Sequence, residues 1–185
     1  DRNYSTGAKT VLILKVDFSD LPGDPMSNNV IDSTMTQVSE YWKQSSYGST
    51  WISSWRSTRV YRMKNTAASY RSSGSYMQLL TDAKAIADAN GDRANSYSFV
   101  VIAMQRVFNG WGGMGLVGYS GVWINGGFAF SMLAHELGHN LGLWHSNFLR
   151  SQETPAVSYG GKATHEEYGD YYDIMGWCYS PECQY

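Results

Sequence analysis

Three of the four histidines in this 185-residue chain fall within eleven residues, and their spacing restricts the local fold more than any other feature. The stretch reads His-Glu-Leu-Gly-His-Asn-Leu-Gly-Leu-Trp-His from position 135 to 145. An α-helix places residues four apart within about 40° of each other, so His135 and His139 share one helix face. Gly142 follows at a position where a residue that tolerates positive φ ends a helix and redirects the chain. The spacing therefore predicts a helix that ends at Gly142 and a turn that returns His145 toward the first two imidazoles.

Imidazoles at this spacing are typical zinc ligands, and three of them leave one position of a tetrahedral ion for water. Such an open position is typical of catalytic zinc sites, whereas structural sites fill all four positions with protein atoms. The pattern predicts one catalytic zinc ion held by His135, His139 and His145. Glu136 points to another side of the helix, so we expect it to approach the water as general base. It would take the proton of the attacking water and pass it to the departing amine of a peptide bond.

The histidine stretch resembles the extended zinc motif of the metzincin metallopeptidases, and a second resemblance lies thirty residues after His145. The Asp-Ile-Met-Gly sequence at 173–176 is similar to their Met-turn, in which Met175 would form an apolar floor beneath the imidazoles. Ser146, together with Glu-Tyr-Gly-Asp at 167–170, most resembles the gametolysin-type (M11) peptidases. The close resemblance covers residues 134–177, and a looser one covers the order of strands and helices from Val11 onward.

The resemblance implies an α+β fold: a metzincin-like catalytic domain with a mixed twisted sheet, an active-site helix and a small irregular C-terminal subdomain. This single domain of residues 1–185 would have an upper subdomain to about 142 and a lower one from about 143, with the zinc ion between them. Its glycine-rich strand within Gly113–Tyr119 would allow close backbone approach and bind an extended protein or peptide substrate by main-chain hydrogen bonds. A partly apolar specificity pocket would be flanked by Phe148–Tyr159 and by the segment around Met175.

The implied activity is that of a secreted zinc-dependent endopeptidase, a hydrolase made as a longer precursor. Two alternatives stay open: a zinc-binding module without turnover, and a metal-dependent amidase acting on a non-protein amide. Two features depart from the clan. Trp177 stands where astacins and serralysins have a tyrosine that can join the metal, and only nine residues follow Gly176. Either the C-terminal subdomain is unusually small or the natural chain continues.

Apolar patterns elsewhere predict strands that mix with helices in one sheet. The strands are expected at Thr10–Phe18, Ser98–Met104, one long or two short ones within Thr50–Met63, and two short ones within Met114–Asn125. The helices are expected at about Asn29–Tyr47, Ser75–Asn90 and Phe128–Leu141. After the last helix the chain is expected to be irregular, because it is rich in Gly, Tyr and Ser.

The charge balance argues against nucleic-acid binding, and the glycine content of the one long uncharged segment argues against membrane insertion. The 14 basic and 16 acidic residues give a net charge of −2, which provides no electrostatic attraction to nucleic acid. Residues 107–134 carry no charge, but their eight glycines predict turns and strand ends rather than a membrane-spanning helix. Because the sequence begins at Asp1 without a signal segment, we expect an exported protein from which a signal peptide or pro-segment has been removed.

Other candidate sites lie near the C-terminus. Cys178 and Cys183 are expected to form a small disulfide in an oxidising compartment, with free thiols as the alternative. His165 is expected to lie on the surface. Four acidic residues could hold calcium, although no clear motif supports this and hydrogen bonds that order the turn are favoured. They are Glu166, Glu167, Asp170 and Asp173.

Overall fold

The computed structural model describes residues 4–151 and 162–177. Contacts between residues group the chain into two compact units, Asp1–Gly142 and Leu143–Tyr185. The predicted α+β class is confirmed, because the chain forms helices and a sheet with both parallel and antiparallel strands. The two cysteines and residues 152–159 of the expected specificity pocket lie outside the described residues.

The sheet of the first unit contains six strands. They are β1 (Gly7–Asp17), β2 (Thr50–Ser57), β3 (Tyr61–Arg62), β4 (Phe99–Met104), β5 (Gly113–Gly115) and β6 (Val122–Asn125). Their order is β2-β1-β4-β6-β5, and β3 pairs with the end of β1. All pairs are parallel except β5–β6, which is antiparallel. The sheet is therefore mixed, and β5 lies at its edge.

Strand β1 explains where the core lies. Its residues from 11 to 17 are all buried, and its neighbours β2 and β4 run parallel to it. Parallel strands covered on both faces have continuous apolar sequences, and alternate side chains point to opposite faces. Leu12, Leu14 and Val16 accordingly lie in one buried cluster with Tyr70 and Leu79 from the helices that follow.

Within the described residues, four α-helices and one short 3-10 helix accompany the strands. They are α1 (Asn28–Ser45), α2 (Ala67–Ser72), α3 (Tyr76–Ala89), the 3-10 helix (Ala94–Ser96) and α4 (Phe130–Asn140). Helix α2 is missing from the sequence prediction. It has six residues, and the Asp20 carboxylate accepts hydrogen bonds from the Ala67 and Ala68 amides at its start. A helix this short depends on such a distant partner, and apolar periodicity does not reveal the partner.

The uncharged run of residues 107–134 forms β5, β6 and the first part of α4. Four of its glycines have positive φ angles, which agrees with the turns and strand ends that the sequence predicts. They are Gly110, Gly118, Gly121 and Gly126. Across residues 4–151 and 162–177, no helix combines the length and the apolarity needed to cross a bilayer.

The second unit contains a β-hairpin where the sequence predicts irregular chain. Strands β7 (Phe148–Ser151) and β8 (Ala163–Glu166) are antiparallel, with Phe148 opposite Glu166. Most of their side chains are exposed, so the strands lack the alternation of apolar and polar residues by which a half-buried strand is recognised. The expectation of irregular structure was therefore wrong for these eight residues.

Candidate metal centre

Helix α4 ends where the histidine spacing predicts. Its last turn closes at Leu141, and the Gly142 amide donates a 2.9 Å hydrogen bond to the His139 carbonyl. Gly142 has a φ of +97°, a conformation that residues with a Cβ atom rarely adopt. The chain can therefore leave the helix axis at this glycine, three residues before His145.

The structure brings the three predicted histidines together. The candidate ligand atoms of His135, His139 and His145 all lie within 4.8 Å of one another. The rings of His135 and His139 are nearly perpendicular, with centroids 4.8 Å apart. In the described part of the chain, no other group of three or more histidine, cysteine or acidic side chains is arranged in this way.

This donor set fits zinc. Neutral imidazole nitrogens are common zinc ligands, with bonds of about 2.0–2.1 Å. Two nitrogens on one tetrahedral ion are therefore about 3.3 Å apart, and the three candidate atoms, within 4.8 Å of one another, lie near enough to share an ion. Water or substrate would take the remaining position, because these three side chains provide only three ligands.

The side chain of Glu136 is buried where α4 packs against the edge strand β5. Only 7% of its surface is exposed, and burial raises the pKa of its carboxyl group to about 8. A Cβ atom added to Gly113 would lie 2.6 Å from Glu136 Oε1 and 2.9 Å from its Cγ. The absence of a side chain at Gly113 therefore creates the space that the glutamate occupies.

Gly115 allows the same close approach two residues further along β5. A Cβ atom there would overlap the Glu136 carbonyl oxygen and lie 3.0 Å from the His139 Cβ atom. Residues two apart in a strand share a face, so both glycines of β5 point toward α4. The sequence interpretation assigned these glycines to close approach by a substrate. The structure shows that they also let the strand lie directly on the helix that carries Glu136.

Asn140 connects α4 to the loop after β5. It is fully buried, and its side-chain nitrogen donates hydrogen bonds of 3.0 and 3.1 Å to the Leu116 and Gly121 carbonyls. The Gly118 amide also donates to the His139 carbonyl at 2.8 Å. Sequence reasoning missed Asn140, because the carbonyls that it binds are 24 and 19 residues away in the sequence.

Asn125 holds the loop before β5 in a similar way. Its side-chain oxygen accepts from the Val107 and Phe108 amides, and its side-chain nitrogen donates to the Phe108 and Trp111 carbonyls. This pattern satisfies every hydrogen-bonding site of a buried amide side chain. The short strand β5 is thus flanked by two loops, each of which is bound to a buried asparagine.

The four acidic residues considered as a calcium site each contact a different partner within the second unit. Glu166 pairs with Arg150, and Glu167 lies 2.7 Å from the His145 Nδ1 atom. Asp170 accepts from the Ser146 hydroxyl, and Asp173 accepts from the Met175 amide. These contacts are hydrogen bonds and ion pairs within the second unit, and hydrogen bonds are what the sequence analysis favoured for these four residues. His165 is exposed on β8.

Met175 lies in a tight turn of the second unit. Its side chain is 3% exposed, and its carbonyl accepts a 2.8 Å hydrogen bond from the Ser146 amide. The Gly176 amide donates to the Asp173 carbonyl, which closes the turn. A Cβ atom at Gly176 would overlap the Asp170 carbonyl oxygen, so this position requires glycine.

Comparisons with known proteins identify the family. A sequence model of the family Peptidase M66 matches residues 27–175, well over half of the chain. No curated protein matches the chain. A solved chain described as "Structure of a chaperone-substrate complex" aligns with 15% identity and a TM-score of 0.47, over 77% of this chain and 24% of that one. This chain thus spans about a quarter of that chain's length.

The family match includes the histidine stretch and Met175. It supports a metallopeptidase, and the more specific resemblance to the gametolysin-type (M11) family is not confirmed. Together with the three histidines, the match is compatible with a bound zinc ion. The chain belongs to the Peptidase M66 family of zinc-dependent metallopeptidases.

Proposed function

We propose that the protein is a secreted zinc endopeptidase in which His135, His139 and His145 hold one catalytic ion. The observation that carries this proposal is the approach of the three ligand atoms within 4.8 Å, on a chain that also buries a glutamate beside the first ligand. A zinc ion in this position would supply a Lewis acid that polarises a peptide carbonyl and makes water more acidic.

In this proposal, Glu136 moves the proton. A zinc ion beside Glu136 would favour the ionised form of its carboxyl group, against the effect of burial. The carboxylate would accept a proton from the attacking water and deliver it to the nitrogen of the departing amine. Gly113 and the helix backbone confine the glutamate, so its oxygen atoms have little freedom to turn away from the reacting groups. Such confinement favours catalysis because a preorganised base loses little entropy when the reaction begins.

The substrate would bind along the edge of β5. Leu116 donates to the Gly121 carbonyl, and the Gly112 carbonyl accepts from Asn125, so these residues direct their polar backbone groups toward β6. Because the direction alternates along an antiparallel strand, the backbone groups of Gly113 and Gly115 face away from β6. Among the described strands, β6 alone pairs with β5. An extended peptide can therefore add to this edge by main-chain hydrogen bonds.

Specificity would arise from apolar side chains in the second unit. Phe148 and Leu149 on β7 are about half exposed, at 48% and 56%. We propose that they flank the pocket for the substrate residue that follows the cut, with the Met175 segment on another side. A peptide-library digest is expected to show apolar residues at that substrate position. A preference for charged residues there would contradict this assignment.

The test of the proposed activity is digestion of a protein substrate combined with elemental analysis of the purified chain. We expect digestion and bound zinc to disappear together after a chelator and to return together when zinc is added. Casein compared with small amide-bearing molecules separates an endopeptidase from an amidase. Zinc binding without hydrolysis of either would identify a binding module and contradict the proposal.

Secretion and removal of a pro-segment also belong to this proposal. They predict that the active protein is recovered from the culture medium and that it is shorter than the newly synthesised chain. Fractionation followed by mass determination of both forms tests both points. Recovery of only intracellular protein would contradict secretion, and an active form as long as the newly synthesised chain would contradict removal of a pro-segment.

A further inference from the structure

His145 makes two side-chain contacts within the second unit that neither the zinc motif nor the Met-turn includes. Its Nδ1 atom lies 2.7 Å from Glu167 Oε1. Its ring lies against the Tyr168 ring, with centroids 3.7 Å apart and planes tilted by 30°. Consecutive residues therefore contact the imidazole, one at its edge and the other at its face.

The contact with Glu167 determines which nitrogen can bind a metal. A carboxylate only accepts hydrogen bonds, so the proton of a neutral His145 belongs on Nδ1 and the lone pair on Nε2. Carboxylates placed behind metal-binding histidines fix the tautomer and the ring orientation, and they make the ligand nitrogen more basic. Glu167 has the position and the chemistry for this role.

The backbone at Tyr168 keeps both contacts in place. Its φ angle is +61°, in the left-handed region that residues other than glycine rarely adopt. Three contacts hold this conformation: the Tyr168 amide donates to Asn147 Oδ1, the Tyr168 carbonyl accepts from the Trp177 amide, and the Trp177 ring stands perpendicular to the tyrosine ring. This conformation directs the Glu167 carboxylate and the Tyr168 ring at the same imidazole.

We propose that Glu167 and Tyr168 are positioning residues that hold His145 in the Nδ1–H tautomer, with Nε2 as the ligand atom. This inference rests on the proposed function, because it requires zinc at the three histidines. It concerns the affinity for the ion and the tautomer of His145, and both can be measured without any peptide substrate.

Glu166 provides a matched control. It is adjacent to Glu167 and carries the same charge, but its carboxylate pairs with Arg150 at 2.7 Å. Replacing either glutamate by alanine therefore removes the same net charge at adjacent positions, and only the Glu167 replacement removes the contact with His145. The Glu167 side chain is 67% exposed, so its removal leaves no cavity in the core.

The experiment measures zinc affinity of the full chain by competition with a chromophoric chelator. We expect Glu167→Ala to weaken zinc binding about 10- to 100-fold, Glu167→Gln to weaken it less, and Glu166→Ala to change it less than about twofold. Circular dichroism of each variant checks that the fold is retained. Binding by both Glu167 variants within about twofold of wild type would overturn the proposal.

Long-range ¹H–¹⁵N spectra of the zinc-free wild-type protein provide a second readout. We expect His145 to be protonated on Nδ1 in its neutral form, and a neutral ring protonated on Nε2 would overturn the proposal. The two hypotheses can fail separately. A wild-type chain that binds zinc with the expected variant pattern but cleaves no peptide would contradict the proposed function alone. A wild-type chain that binds no zinc would contradict both.

Discussion

Gly113 and Glu136 occupy adjoining space, since a methyl group on the glycine would lie 2.6 Å from the carboxylate oxygen Oε1. Gly113 belongs to the edge strand β5, and Glu136 belongs to the helix that carries two of the three clustered histidines. The position of the proposed base therefore depends on a missing side chain in the strand that we expect to bind the substrate.

We predict that Gly113→Ala lowers kcat about 100-fold while zinc content stays unchanged, because displacement of a catalytic group by about 1 Å has effects of this size. Steady-state kinetics and elemental analysis test this prediction. Gly127→Ala is the matched control, because a Cβ atom there meets nothing within 4 Å. Wild-type kcat in Gly113→Ala would show that the glutamate tolerates the displacement.

Main-chain pairing with the edge strand β5 should depend on the backbone amides of the substrate. In a series of non-cleavable peptides, each methylated at one backbone nitrogen, we expect every second methyl group to weaken binding about tenfold. Each such loss corresponds to one hydrogen bond of about 1.4 kcal/mol, and the alternation follows from the period of a β-strand. Inhibition constants measure the effect. Equal effects at all positions would contradict main-chain pairing with β5.

The buried Asn140 is expected to contribute to stability. In Asn140→Ala the Leu116 and Gly121 carbonyls each lose one of their hydrogen-bond donors, so we predict a loss of about 1–3 kcal/mol in the free energy of unfolding. Urea denaturation of the zinc-free protein measures this loss. The control is Asn29→Ala on the exposed side of α1, for which we expect a change within about 0.5 kcal/mol. Equal effects of the two substitutions would contradict the assigned role.

The site was more predictable from the sequence than the contacts that support it. A four-residue step on a helix and a glycine that allows a turn are local features, so the grouping of three histidines follows from spacing alone. The contact of Gly113 with Glu136 joins a strand to a helix more than twenty residues away in the sequence. Nothing in either segment alone reveals this contact.

The strongly apolar elements were also predictable. The continuous apolar stretch at β1 and the periodic apolar positions of α1 correspond to a buried strand and an amphipathic helix. Helix α2 depends on capping by Asp20, and the strands of the β7–β8 hairpin have mostly exposed side chains. Both elements are stabilised by contacts that have no periodic signature, which is why the sequence analysis missed them.

The ionisation of Asp17 is expected to make the free energy of unfolding depend on pH. The hydrogen bond from Arg62 and, to a lesser extent, that from the Gly23 amide lower the pKa of its carboxyl group, although burial opposes the shift. A carboxyl group with a lower pKa in the folded state stabilises the protein above its unfolded pKa of about 3.9. This contribution is lost as pH falls through the folded pKa.

We therefore expect Asp17→Asn to reduce the fall in the free energy of unfolding below about pH 4. Arg62→Gln should have a similar but smaller effect, since the bond from Gly23 remains. Urea titrations of the zinc-free protein at several pH values measure the dependence. An unchanged slope in Asp17→Asn would contradict the assignment.

If three imidazoles hold zinc while Glu136 handles the proton, metal binding and turnover depend on different side chains. Zinc per chain and peptide hydrolysis, measured in parallel in wild type and Glu136→Gln, separate the two. We expect one zinc ion per chain in both proteins and a loss of kcat of about 10²- to 10⁴-fold in the variant. Zinc-free wild-type protein that still cleaves peptides, or a variant with wild-type kcat, would refute this division of roles.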